Sequence, residues 1–172
     1  MKIIKVDKNN QVNGDGLRCV IWVSGCSHNC KGCHNPETHD YNFGHDITSE
    51  EKELILRQLL NPEIDGVTLT GGDPFFRLNQ DGLVELCKWI KEVAPLKTIW
   101  CYTGFLYEKI KNTELINYID ILIDGKYEES LNWGPGKIKW RGSDNQRIID
   151  IKQTQWTGIL TVLNSNDDFE EE

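Results

Sequence analysis

The chain predicts an α/β fold whose parallel sheet curls into a partial, open (β/α) barrel, and three observations carry that expectation. Short β-branched and aromatic runs alternate with amphipathic helical stretches, an order that implies parallel strands, right-handed crossovers and helices on the outside. The 172 residues hold too few such units for a closed eight-stranded barrel. The two most unusual loops both follow predicted strands, on the rim where α/β folds bind ligands.

The elements read in order as follows. Residues 3–6 and 17–23 are rich in β-branched and aromatic side chains and flank the turn-prone Asn13-Gly14-Asp15-Gly16. Thr48 with Glu51 three residues on makes a capping box. Ile55, Leu56, Leu59 and Leu60 then give one apolar helical face, which Asn61-Pro62 ends. Residues 67–70 are the next strand. A second amphipathic helix covers 80–93, with Leu83, Leu86, Cys87 and Ile90 along its apolar stripe. Residues 98–102 read as a strand, 106–117 as one or two short helices, and 119–123 as a mostly apolar strand. Residues 156–162 could add an edge strand, and the polar, acidic 164–172 reads as disordered. The organisation expected is one folded domain over 1–152 with an extension over 153–172.

Composition narrows the function. A net charge of -8 and a pI near 5.0 argue against a chain built to grip nucleic acid. No apolar run is long enough to span a membrane. Residues 1–12 carry Lys2, Lys5 and Lys8 and no apolar core of the kind a secretory signal has. A cytoplasmic location with reduced cysteines is therefore expected.

Three of the six cysteines lie within eight residues, at Cys26, Cys30 and Cys33. Three thiolates on one short loop can hold three irons of a [4Fe-4S] cluster, which normally takes four cysteines, so one iron stays open for a ligand. Zinc is the competing occupant, with His28, His34, His39 or His45 as a fourth ligand. Cys19 and Cys101 fall on strands and Cys87 on a helical stripe, where a small apolar thiol is an ordinary core residue. Gly71-Gly72-Asp73-Pro74 follows the strand at 67–70. Its glycines let a ligand approach the backbone, and Asp73 can pair with an ammonium. Thr103-Gly104 and Asp124-Gly125-Lys126 close the next two strands on the same rim, and both are equally compatible with plain turns.

The CxxxCxxC spacing resembles the signature of radical S-adenosylmethionine (SAM) enzymes, and Gly71-Gly72-Asp73-Pro74 resembles their GGE-type motif, with Asp in place of the commoner Glu. With Asn13-Gly14-Asp15-Gly16-Leu17-Arg18-Cys19, Gly32-Cys33-His34-Asn35, Tyr102-Thr103-Gly104 and residues 140–147 added, the chain is similar to the anaerobic ribonucleoside-triphosphate reductase activating proteins over about 6–151. Asp15 stands where that family usually has proline, and His34 where it usually has another aromatic residue. The resemblance implies a [4Fe-4S] cluster on Cys26, Cys30 and Cys33. SAM would be bound around Gly32, Cys33, His34, Gly71, Gly72, Asp73, Thr103, Asp124 and Lys126. It implies reductive cleavage of SAM and transfer of the radical to a glycine in the glycyl-radical subunit of an anaerobic ribonucleotide reductase. A donor such as flavodoxin would supply the electron, and no side-chain acid or base is required. Backbone amides around Gly25 and Gly32 are the expected hydrogen-bond donors to cluster sulfur. Activases of pyruvate formate-lyase and 7-carboxy-7-deazaguanine synthases are the nearest alternatives within the superfamily.

Overall fold

The computed structural model describes residues 1–132, 134 and 139–163. Its centre is a seven-stranded sheet in which the strands lie in the order of the sequence. β2 (Arg18–Val23), β3 (Gly66–Gly71), β4 (Thr98–Tyr102) and β5 (Ile121–Asp124) are parallel, with Val20, Thr68, Trp100 and Ile121 in register across all four. β1 (Ile3–Asn10) joins one edge antiparallel, and β6 (Arg147–Asp150) and β7 (Val162–Leu163) join the other in the same sense. A wholly parallel sheet is therefore not what forms. The loop at 11–17 is too short for the crossover that a parallel partner of β2 would need, so β1 and β2 close as a hairpin. At the other edge β6 returns from β5 without a crossover helix among the described residues, only a short 3-10 turn at Glu129–Leu131.

Helix α1 (Ser49–Leu60) starts at the expected capping box. The Glu51 amide donates to Thr48 Oγ1 at 3.2 Å, and the Thr48 amide donates to Glu51 Oε2 at 2.9 Å. Two otherwise orphaned amides are satisfied at once. Thr48→Ala is expected to cost about 1 kcal/mol of stability, read from the urea midpoint. Ile55 and Leu59 are buried as expected, whereas Leu60 is 65% exposed. It lies at the last turn, beyond the face that meets the sheet.

Helix α2 (Gln80–Val93) buries Leu83, Leu86, Cys87 and Ile90 in the main core. Cys19 and Cys101 reach the same core from β2 and β4. Helix α3 (Tyr107–Ile110) and a 3-10 turn at Leu115–Tyr118 account for the short helices expected over 106–117. Helix α4 (Ile151–Thr157) occupies part of the stretch expected as an edge strand. Asp150 caps it by accepting from the Gln153 amide at 2.8 Å, and Gly158, at φ 72°, ends it in the left-handed conformation. Only Val162–Leu163 of that region pairs as a strand. The expectation of disorder over 164–172 falls outside the described residues.

Strand alternation gives the sheet two different faces. Cys19, Ile21, Val23, Val67, Leu69, Ile99, Cys101 and Leu122 join the helices in one large core. On the opposite face Trp100, Ile123 and Ile148 form a smaller cluster with Tyr102 and Trp140 against it. Trp22, Thr70 and Tyr102 continue that face into a cleft at the carboxyl ends of the parallel strands. Among the described residues, no helix is long and apolar enough to cross a membrane.

Candidate active site

The cleft has a volume of about 490 Å³, within the range of sites that hold cofactors. Cys26, Cys30, Cys33, Gly71, Gly72, Asp73 and Thr103 all line it. The sheet brings them together because β2, β3 and β4 are adjacent and parallel, so the loops that leave their carboxyl ends share one rim.

Immediately after β2 the chain is pinned. The Gly25 amide donates to Thr38 O at 2.8 Å, the Cys26 amide to His39 O at 3.2 Å, and Asn79 Nδ2 to Ser24 O at 2.8 Å. The expected role of the Gly25 amide as a donor to cluster sulfur is thus corrected: a carbonyl already holds it. Beyond Cys26 the loop is irregular. Asn29 and Gly32 take positive φ, and the Cys33 amide donates to Cys30 O at 3.2 Å. A side chain on Gly32 would strike Glu129, which lies over the loop from the segment after β5.

All six cysteines are free thiols. Burial pushes the Cys26 thiol up to about 11, with Asp73, Cys30 and Cys33 adding to the shift and the His28 amide opposing it. Among the described residues no three His, Cys, Asp or Glu side chains converge to hold one metal ion. A tetrahedral zinc with 2.3 Å bonds needs its sulfurs about 3.8 Å apart. A cluster puts each thiolate on its own iron, and all three cysteines line one cleft.

The glycine pair is explained by packing as well as by access. Gly71 has φ 101°, and a Cβ there would lie 2.6 Å from Val23 O. A Cβ on Gly72 would lie 2.6 Å from Gly25 O. Both residues press the end of β3 onto the start of the cysteine loop. The Gly72 amide donates to Val23 O at 2.7 Å and the Asp73 amide to Gly25 O at 2.8 Å.

Asp73 is 1% exposed and its carboxylate is fully engaged. Oδ1 accepts from the Phe75 amide at 2.8 Å, and Oδ2 accepts from the Gly104 amide at 3.0 Å. The Thr103 hydroxyl donates at 2.9 Å, and His28 Nε2 stands 2.5 Å from Oδ2. Thr103, expected as a cofactor contact, is buried and spends its hydroxyl on Asp73. Asp124 is corrected more sharply. It is fully buried, accepts from the Tyr107 amide at 2.7 Å, and pairs with Arg147 through Nε at 2.9 Å and Nη2 at 2.5 Å. It is not among the residues that line the cleft. Lys126 is exposed and does not line the cleft, so it too falls away. His34 does line it, resting against Tyr127 with ring centroids 4.7 Å apart.

Sequence reasoning missed several cleft residues. His28 was visible only as a possible zinc ligand, although its place between two cysteines puts it at the rim. Gln146 accepts from the Gly142 and Ser143 amides and donates to Gly125 O, closing the far wall. Nothing local in the sequence marks that role, which depends on a contact 21 residues away in the chain.

A family model described as a 4Fe-4S single cluster domain matches residues 12–149. The anaerobic ribonucleoside-triphosphate reductase-activating protein of Enterobacteria phage T4 is 44% identical over 145 residues, 84% of this chain and 91% of that protein. The protein of that name from Vibrio cholerae serotype O1 is 40% identical over 80% of this chain and 90% of its own length. The one from Pasteurella multocida is 35% identical over 89% and 99%. With an iron-sulfur domain spanning the rim loops and relatives of one name aligned along most of both chains, this chain belongs to the anaerobic ribonucleoside-triphosphate reductase-activating protein family.

Proposed function

We propose that the protein is a radical SAM activase that generates a glycyl radical on an anaerobic ribonucleoside-triphosphate reductase. The observation that carries this reading is the meeting of three free cysteines with Gly71, Gly72 and Asp73 on one rim of one cleft. Cys26, Cys30 and Cys33 would hold the [4Fe-4S] cluster, with SAM bound beside it. When bound, the cluster would supply the one electron that cleaves SAM reductively, chemistry that ends in removal of a hydrogen atom from the partner's glycine.

The chain's own residues bind, orient and exclude water. The backbone at Gly32, Gly71 and Gly72 and the side chain of His34 face the cofactor. Asp73 and Thr103 line the same cleft and hold that rim in place, because their polar atoms engage each other and neighbouring amides. The four parallel strands form the wall of the partial, open barrel, and its open mouth admits a loop of the partner. A low-potential donor such as flavodoxin reduces the cluster, in the cytoplasm, and neither a membrane nor nucleic acid takes part.

The test is anaerobic reconstitution with iron and sulfide, then reduction with SAM, with and without the reductase. The reading expects 5′-deoxyadenosine by chromatography and a glycyl doublet in electron paramagnetic resonance only when the reductase is present. SAM cleavage that depends on a small heterocycle and ignores the reductase would overturn it, as would a colourless protein carrying one zinc.

A further inference from the structure

We infer that His28 is a positioning residue, tying the cysteine loop to Asp73 so that Cys26, Cys30 and Cys33 are held over the cleft before any metal arrives. The importance of those cysteines rests on the proposed function. The tie itself does not.

Burial and three contacts place His28. Its side chain is 7% exposed, although it belongs to an irregular loop with exposed neighbours. Its Nε2 lies 2.5 Å from Asp73 Oδ2. Its ring packs edge-on to Phe105, with centroids 4.4 Å apart at 69°. Its ring also fills the space over Gly104, where a Cβ would come within 2.4 Å of His28 Cδ2. Asp73 is already surrounded by amide and hydroxyl donors, so its oxygen is an acceptor and the proton of this bond sits on Nε2.

The geometry links three strand ends through one side chain. Asp73 follows β3, Gly104 and Phe105 follow β4, and His28 follows β2. His28 lies two residues from Cys26 on one side and from Cys30 on the other, so anchoring its ring anchors the stretch of loop that carries both. Movement of the ring therefore moves the thiolates that line the cleft. The short Asp at position 73 fits this arrangement, because its carboxylate stays close to its own loop and His28 spans the remaining gap.

Two substitutions separate the ring from the hydrogen bond. His28→Phe keeps an aromatic ring against Phe105 and loses the donor, whereas His28→Gln keeps a donor near Nε2 and loses the ring. In the full-length metal-free chain, amide exchange over residues 26–33 should rise at least about tenfold in His28→Phe and return most of the way in His28→Gln. In the anaerobically reconstituted protein, cluster loss to a ferrous chelator should follow the same order. Unchanged loop exchange in His28→Phe, or exchange in His28→Gln as fast as in His28→Phe, overturns the proposal. If His28→Phe does not fold, the 15N spectrum of the parent decides: an Nε2 that carries a hydrogen-bonded proton supports the tie, and a bare Nε2 overturns it. None of these readings involves SAM or the reductase. Absence of a glycyl radical would therefore sink the proposed function and leave this inference standing.

Discussion

Alanine at Cys30 is expected to abolish cluster retention while leaving stability within about 0.5 kcal/mol of the parent protein. The Cys30 side chain is part-exposed on an irregular loop and belongs to neither apolar cluster. What the local turn uses is its carbonyl, which accepts from the Cys33 amide and is unchanged in alanine. Loss of one of three thiolates leaves two irons without protein ligands, and the glycyl doublet should vanish with the cluster. Cys101→Ala is the informative contrast. That thiol is fully buried on β4, and burial pushes it well above the ordinary cysteine range, so it remains a packed thiol at neutral pH. Removing its sulfur should cost about 1 to 2 kcal/mol and leave iron and sulfide content unchanged. Cys87 and Cys19, whose thiols burial pushes up to about 12, belong with Cys101. Iron and sulfide per chain, with the urea midpoint of each variant, check both halves. A cluster retained in Cys30→Ala, or lost in Cys101→Ala, would show that ligands and core thiols have been assigned the wrong way round.

The burial of Cys19, Cys87 and Cys101 was legible because it rests on local pattern. Cys87 falls on the stripe of α2 and Cys101 within an apolar strand, while the triplet falls where no periodicity holds. The capping box at Thr48 and the rim loops were legible for the same reason: each is a short-range arrangement of residue types. Both antiparallel edges were not. β6 pairs with β5 through a segment without a regular period, so nothing in 125–146 announces the direction of return. α4 was hidden by the β-prone residues near Trp156, although Asp150 and Gly158 are ordinary helix start and stop signals. At the site, residue types identified Asp73 and Asp124 as candidates but not the use of their charge. Arg147 consumes one and His28 meets the other, and both contacts join residues far apart in the chain.

Arg18 shows how such a long-range charge shapes the cleft, and Arg18→Lys is expected to cost about 3 kcal/mol or more. The side chain is 1% exposed at the start of β2, under the floor of the site. Burial lowers its guanidinium to about 10, so it stays charged at neutral pH, yet every acceptor it meets is neutral. Nε donates to Thr68 Oγ1 at 2.7 Å, Nη1 to Asp15 O at 3.0 Å, and Nη2 to Val67 O at 2.9 Å and Thr98 O at 3.0 Å. The guanidinium also lies 5.2 Å from the centre of the Trp100 ring. A planar fork can reach β3, β4 and the 11–17 loop together, whereas an ammonium is a point charge and would leave acceptors buried without donors. The loop is built around this fork. Gly14 takes φ 117°, and a Cβ there would lie 2.8 Å from Arg18 Cδ. Thr68 donates onward to Asn13 O at 2.7 Å, and Asn13 lines the cleft. The hydrogen bond from the fork to residue 15 uses the Asp15 carbonyl, an oxygen that any residue at this position supplies. Arg18→Lys should therefore speed amide exchange at residues 14–17 as well as lower the urea midpoint. Stability within about 0.5 kcal/mol of the parent, with the loop equally protected, would mean that the fork is not what holds the 11–17 loop.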